Sequence, residues 1–421
     1  MTKKAIAIEL LVVGMFIELP LKWSRHPFLM NRFKLRSQEQ IQTLKQIGLK
    51  KVWYYPEKSD AKPREEAVEI QAPADDEGSQ TNKALWDEKV ARLKILRERR
   101  RAIQKTEKRY KATLKVVKSL MLRLSSRPQQ SVDDAKELMQ EMASNLLSDN
   151  EVVIHLMNEN NMDESSYYHS LNVAILSMMM GASEDIDKES LSELGLAALF
   201  HDIGKSKVPT SILRKREPWN KAERSFYEMH TRYGFDMAEK IDALPVCAQK
   251  VIVEHHERLN GEGFPYGLKE ADISDFSKIV AIANIYDNHC NHLDPRDSMT
   301  PHEALSYMFN KQKAWFDPVR LQRFVKMMGV YPPGTIVQLN DGSVGIVITL
   351  NSKKILYPRI LVYDKNIPKE EAIIFDLDEE PDLNIVKSIR LGKLPKEIHE
   401  YLNPRVRVSY FYEAQKKERK L

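Results

Sequence analysis

Between Lys188 and Pro209 the chain reads KESLSELGLAALFHDIGKSKVP. Apolar residues recur at helical spacing from Lys188 to Phe200, and the periodicity runs directly into the pair His201-Asp202, with Gly204 marking the end of the helix. Lys205 lies one helical turn beyond His201, close enough to direct its ammonium at an anion held beside that pair. Imidazole nitrogen and carboxylate oxygen are the ligand set for Zn, Mn or Fe, and one carboxylate can bridge two such ions. A helix ending on this pair directs attention to other ligands around it.

Of the 11 histidines, four more stand in distinctive strings of the same region, at His169, His230, His255 and His256. The strings around them are HSLNVA (His169 to Ala174), HTRYG (His230 to Gly234) and HHERLNGEGFPYGL (His255 to Leu268), followed by IVAIANIYDNHCN (Ile279 to Asn291). Helical periodicity extends over Ser131–Leu147, His169–Met180, Lys188–Phe200, Lys221–Ile241, Val246–Glu257 and Ser277–His289, so residues 127–330 are expected to form an all-α domain. A lone helical histidine usually serves packing, but five at separate positions, one joined to an aspartate, point to metal-assisted hydrolysis. The sequence has no G-x-S-x-G elbow, and this chemistry needs no protein nucleophile. Met178, Met179 and Met180 are expected to fill the core behind His169.

The flanks differ in texture. Residues 1–56 alternate apolar strands (Ala5 to Leu19, and KVWYY at Lys51 to Tyr55) with a short helix from Ser37 to Ile47 stopped by Gly48, which makes a small α/β unit. Residues 57–82 read as a solvated linker. Residues 83–126 read as a long basic helix whose Tyr110, Leu114, Val117, Met121 and Leu124 form a heptad-like seam, the surface expected for a homodimer or for packing in cis. After Tyr331 short Val/Ile-rich runs and an Asn340-Asp341-Gly342 hairpin signal predict a β-rich, barrel-like unit over 331–414, with 415–421 as a tail. The fold class is therefore multidomain and mainly α.

Composition narrows the partners. With 65 Lys+Arg against 60 Asp+Glu the net charge of +5 over 421 residues is too weak to favour a nucleic-acid polymer or a membrane surface. LLVVGMFI (Leu10 to Ile17) is too short to cross a bilayer and is bracketed by Glu9 and Glu18. Two cysteines, Cys247 and Cys290, cannot build a disulfide framework, which fits a reducing compartment, and the cytoplasm is the expected location.

The HDIGK and HHExxNGxGxPxG pair closely resembles the HD-GYP family of the HD phosphohydrolases, bacterial enzymes that hydrolyse cyclic di-GMP. Residues 1–56 resemble, more weakly, the uncharacterised domain that often precedes it. The resemblance implies that His169, His201, Asp202, His230, His255 and His256 bind two divalent ions, Fe or Mn, with Asp202 bridging them. It also implies that a hydroxide between the ions attacks the phosphodiester while Lys205 contacts a substrate phosphate. Gly263, Phe264 and Pro265 occupy the GYP positions, with the phenol hydroxyl missing. Asn284 stands where the family closes its metal site with Asp, and Asp287, one turn further on, is expected to compensate in part. Leu293 replaces an expected phosphate-gripping Arg, whereas Arg296 is retained. Ser165 stands where three-metal members have Glu, which favours two ions. The activity implied is a cyclic di-GMP phosphodiesterase. The alternative is a cyclic di-GMP sensor or scaffold whose hydrolysis is impaired by Asn284 and Leu293.

Overall fold

Strand β1 (Lys4–Ala7) and strand β2 (Phe16–Glu18) come from the apolar N-terminal run, with Gly14 at φ 96° in the segment between them, and both run antiparallel to the same later strand. A further strand that the sequence pattern did not mark, β3 (Arg32–Lys34), joins them. Helix α1 (Gln38–Gln46) starts where the Ser37 side chain accepts the Gln40 N–H, and ends before Gly48 at φ 80°. Strand β4 (Lys51–Tyr54) then completes an antiparallel sheet of order β1-β4-β2-β3. Its core is Ile8, Met15, Ile17, Leu35, Ile41 and Leu44 with their neighbours. The chain separates into two compact units, and this sheet belongs to the one comprising residues 1–102, 341–343 and 362–374.

The computed structural model describes residues 3–21, 25–28, 30–64, 75–147, 152–157, 165–292, 297–351, 355–367, 372–380, 382–390, 394–402 and 409–414. Residues 65–74 of the expected linker 57–82 lie outside these residues, and helix α2 (Asp75–Arg123) begins inside its range, at Asp75 rather than Lys83. The α2 seam is occupied within the chain. Tyr110 and Val117 are fully buried, Leu114 and Leu124 are buried and Met121 is half-buried, and Tyr110 meets Phe411 edge-on at 5.8 Å, so most of the seam is packed in cis.

The first unit also holds a buried histidine outside any candidate site. His26 bonds Asn31 Oδ1 through Nε2 at 3.2 Å, leaves Nδ1 without a partner, and has the Lys89 ammonium on its carbonyl. Burial, with Lys89 adding repulsion, lowers its pKa from an ordinary 6.5 to about 4. Between those values the unfolded chain binds the extra proton, so stability is fully present above pH 6.5 and falls as the pH drops towards 4. With allowance for solvent screening the loss is roughly 2 kcal/mol. Urea melts at pH 7 and pH 4.5 should show this term in the native protein and not in His26→Gln.

The second unit carries the helical region: α3 (Pro128–Leu147), α4 (Ser165–Ser183), α5 (Lys188–Phe200), the short α6 (Thr210–Leu213), α7 (Lys221–Glu228), α8 (His230–Ala238), α9 (Val246–Glu254), α10 (Asp275–Cys290), α11 (Pro301–Lys311) and α12 (Pro318–Met328). Asp187 caps α5 by accepting the N–H groups of Glu189 and Ser190 at 3.0 and 3.1 Å. Gly195 lets α5 lie close to its neighbours, since a Cβ there would fall 2.5 Å from Met178 Sδ and 2.9 Å from Met139 Sδ. Met178, Met179 and Met180 are core residues, as read from the sequence. The expected Lys221–Ile241 helix is broken at Met229 into α7 and α8.

Two expectations are corrected here. The region 127–330 is not all-α, because strand β5 (Val152–Met157) lies between α3 and α4. This strand joins the C-terminal strands β6 (Ile336–Leu339), β7 (Val344–Asn351), β8 (Arg359–Val362), β9 (Ile373–Asp376), β10 (Ile385–Ser388) and, after helix α13 (Lys396–Leu402), β11 (Ser409–Ala414). The seven-stranded sheet follows the path β10-β6-β7-β5-β11, with β8 and β9 branching from β7, so the described strands do not close into a barrel. The Asn340–Ser343 turn, with Gly342 at φ 84°, joins antiparallel β6 and β7 where the hairpin signal lay. Among the described residues no helix is long and apolar enough to cross a membrane.

Candidate metal centre

His201 follows the last residue of α5, and its Nδ1 lies 2.6 Å from the Ala198 carbonyl of the same helix end. His230 opens α8, with Nδ1 2.7 Å from the Tyr227 carbonyl, an approach made available by the break at Met229. His255 caps α9, with Nδ1 3.0 Å from the Ile252 carbonyl. His169, on α4, places Nδ1 2.7 Å from Asp287 Oδ2. Each Nδ1 faces an acceptor, so each ring carries its proton there, and the tautomer assigned from this network leaves a lone pair on Nε2.

Those four Nε2 atoms converge in pairs on Asp202. Oδ2 lies 3.5 Å from His169 Nε2 and 3.3 Å from His201 Nε2, while Oδ1 lies 3.4 Å from His230 Nε2 and 3.6 Å from His255 Nε2. The two nitrogens of each pair are themselves only 3.2 and 3.4 Å apart. Lone pairs facing lone pairs in a buried place repel unless a cation lies between them. Asp202 Oδ1 and His256 Nε2 are moreover buried without a hydrogen-bond donor or acceptor. The ligand-type atoms form two overlapping groups, His169-His201-Asp202 and Asp202-His230-His255-His256, each within 4.8 Å, with Asp202 in both. The donor set therefore fits two cations sharing one carboxylate.

Electrostatics keep these groups in their ligand forms. Burial pushes the pKa of His201 and His230 down, that of His256 well down, and that of His255 to about 4, so these rings are neutral near pH 7. Burial alone would raise the Asp202 carboxyl, but the Lys205 ammonium beside it holds it well below the usual carboxylate range. The Asp202 carboxylate in turn outweighs burial at Lys205 and raises its pKa. Helix α5 ends before this pair, and Lys205 sits on a 3-10 turn, Ile203–Lys207, where its ammonium bonds Asp202 Oδ2. Gly204 is there for proximity. A Cβ would fall 1.9 Å from the His230 carbonyl oxygen and 2.4 Å from Gly234 N, so only glycine lets this turn lie against α8.

The GYP-like loop is held by Glu257, whose carboxylate accepts the N–H groups of Tyr266 and Leu268 at 2.7 and 2.9 Å. Phe264 stacks on His256 at 4.5 Å, followed by a cis bond to Pro265. Gly263 packs on backbone: a Cβ would lie 2.4 Å from both Glu257 Cα and Arg258 N. Asn284 is buried on α10, with its Oδ1 accepting from Asn288 at 2.8 Å and its Nδ2 without a partner. Both oxygens of Asp287, one turn further on, are engaged, Oδ2 by His169 and Oδ1 by Asn172 and Asn291. Leu293 and Arg296 lie outside the described residues.

Two contributors escaped sequence reading, Tyr227 and Asn172, and the contact that Asp287 makes did as well. Tyr227 supplies the carbonyl that fixes His230 and lies beneath the Lys205 ammonium, 5.6 Å from ring centroid to Nζ. Asn172 and Asp287 stand behind His169. Asn172 was legible in principle, being one helical turn from His169 inside HSLNVA.

A family model described as HD domain matches residues 131–319, and a second, described as domain of unknown function DUF3391, matches residues 3–135. Over those residues the chain is similar to an HD domain, with a match to DUF3391 ahead of it. It is 28% identical over 370 residues to the cyclic di-GMP phosphodiesterase PA4108 of Pseudomonas aeruginosa, a match that covers 86% of this chain and 85% of that protein. It is 33% identical over 150 residues to the 3'3'-cGAMP-specific phosphodiesterase 1 of Vibrio cholerae, covering 34% of this chain and only 33% of that one. Among solved structures, Bd1817, an HDG"Y"P protein from Bdellovibrio bacteriovorus, aligns with a TM-score of 0.40 and 16% identity over 77% of this chain and 98% of that chain.

Proposed function

We propose that this protein is a phosphodiesterase that hydrolyses cyclic di-GMP with two divalent ions, Fe or Mn. The observation that carries the reading is the convergence of four unprotonated imidazole nitrogens on the two oxygens of Asp202. Similarity to PA4108 over most of both chains supports the choice of substrate.

His169, His201 and Asp202 would hold one ion, and Asp202, His230, His255 and His256 the other. Asn284 offers at most a neutral carbonyl oxygen. When bound, the two ions supply Lewis acidity at the phosphodiester and a nucleophilic hydroxide at neutral pH. Lys205 keeps its charge beside Asp202 and stabilises negative charge gathering on the phosphoryl oxygens. The Nδ1 partners of the histidines keep each ring in one orientation throughout turnover. Phe264, stacked on His256, forms an apolar wall where the family has a phenol, and Arg296 is assigned to a substrate phosphate from its motif position.

The two dinucleotides named among the relatives provide the test. With Mn(II) supplied, kcat/KM for cyclic di-GMP should exceed that for 3'3'-cGAMP, and the reverse order rejects the substrate assignment. Asn284 favours a second reading, a sensor that binds cyclic di-GMP with little hydrolysis.

A further inference from the structure

Behind His169, on the side away from Asp202, buried hydrogen bonds lead to the end of the chain. His169 Nδ1–H donates to Asp287 Oδ2 at 2.7 Å. Asp287 Oδ1 accepts from Asn172 Nδ2 at 2.8 Å and from Asn291 Nδ2 at 2.9 Å. The Asn172 carbonyl oxygen then accepts the backbone N–H of Tyr410, in β11, at 3.3 Å. Asn172, Asp287 and Tyr410 are each at most 1% exposed.

The C-terminal strand is suited to this. β11 ends the described path of the sheet and pairs only with β5 there, so alternate N–H groups point away from the ladder. A buried N–H of that kind needs an acceptor, and Asn172 supplies it while turning its amide N–H towards Asp287. An amide is suited to that place because it accepts on one side and donates on the other.

We propose that β11 is a positioning element for the metal centre: through Asn172 and Asp287 it fixes the ring of His169, and so sets the affinity of the ion shared by His169, His201 and Asp202. A carboxylate on the remote nitrogen of a metal-binding histidine fixes its tautomer and raises its basicity, and Asn172 fixes the carboxylate. The ion on the His230, His255 and His256 side has no such link to β11 among the described residues. The C-terminal strands thereby gain a role in the site that their lack of ligand residues conceals.

This rests on the two-ion reading above, and a Mn(II) titration of the full chain separates the two. Native protein that binds no Mn(II) overturns the two-ion reading and this inference with it. Given two ions in the native protein, Asn172→Ala should weaken one of them about ten- to a hundredfold and leave the other unchanged. The nitrogen resonances of His169 should also lose their single-tautomer pattern. Equal weakening of both ions, or of neither, overturns the inference. Should Asn172→Ala fail to fold, hydrogen exchange in the native chain decides. By reciprocity, loading with Mn(II) should slow exchange of the Tyr410 amide, and an unchanged rate overturns the proposal.

Discussion

Replacing His201 and Asp202 together by alanine is expected to remove both ions and to lower cyclic di-GMP hydrolysis to background, a loss of more than about 10^4-fold. Asp202 faces all four convergent imidazoles, two at each oxygen. Without it the two groups have no common member, and without His201 the first keeps only His169. The variant also strands the Lys205 ammonium, which Asp202 now neutralises. Breaking a buried pair in this way costs about 3 kcal/mol or more, so a thermal melt must accompany the assay. Metal content by elemental analysis and turnover on the same folded sample decide the matter. Hydrolysis retained by the double variant rejects the site.

Asn284→Asp is expected to act in the opposite direction. Asn284 lies one turn before Asp287 on the buried side of α10, 1% exposed, with an amide nitrogen that has no partner. The substitution removes that unsatisfied donor, which is costly when buried, and adds a negative charge where the HD-GYP pattern places a ligand. Affinity for one ion should rise about ten- to a hundredfold, by analogy with the effects of altered metal surroundings, and turnover should rise with it. Metal titration and initial rates on both proteins check this. If the native chain binds the dinucleotide and leaves it intact while Asn284→Asp cleaves it, the sensor reading holds.

Much of this centre was legible because its ligands are chemically distinctive and sit at helix ends. His201, His230 and His255 each follow or open a helix, and a helix terminus leaves carbonyls free to take the Nδ1 proton. What stayed hidden depends on tertiary contacts. Nothing in IVAIANIYD says that Asp287 turns to His169, and nothing in GFP says that its glycine packs on the Glu257 backbone. Strand β5 was hidden for a similar reason. Its partners β7 and β11 lie far along the sequence, so no local signal marks the pairing. The Tyr110 to Leu124 seam was read correctly as apolar, but periodicity cannot tell a partner chain from the protein's own β11.

The most direct test of the central claim is metal content and cyclic di-GMP turnover measured on one sample of the full chain, reconstituted with Mn(II) or, under reducing conditions, Fe(II). The account predicts two ions per chain and hydrolysis that stops on chelation and returns when the metal is restored. Hydrolysis that continues undiminished in protein stripped of both ions would contradict it.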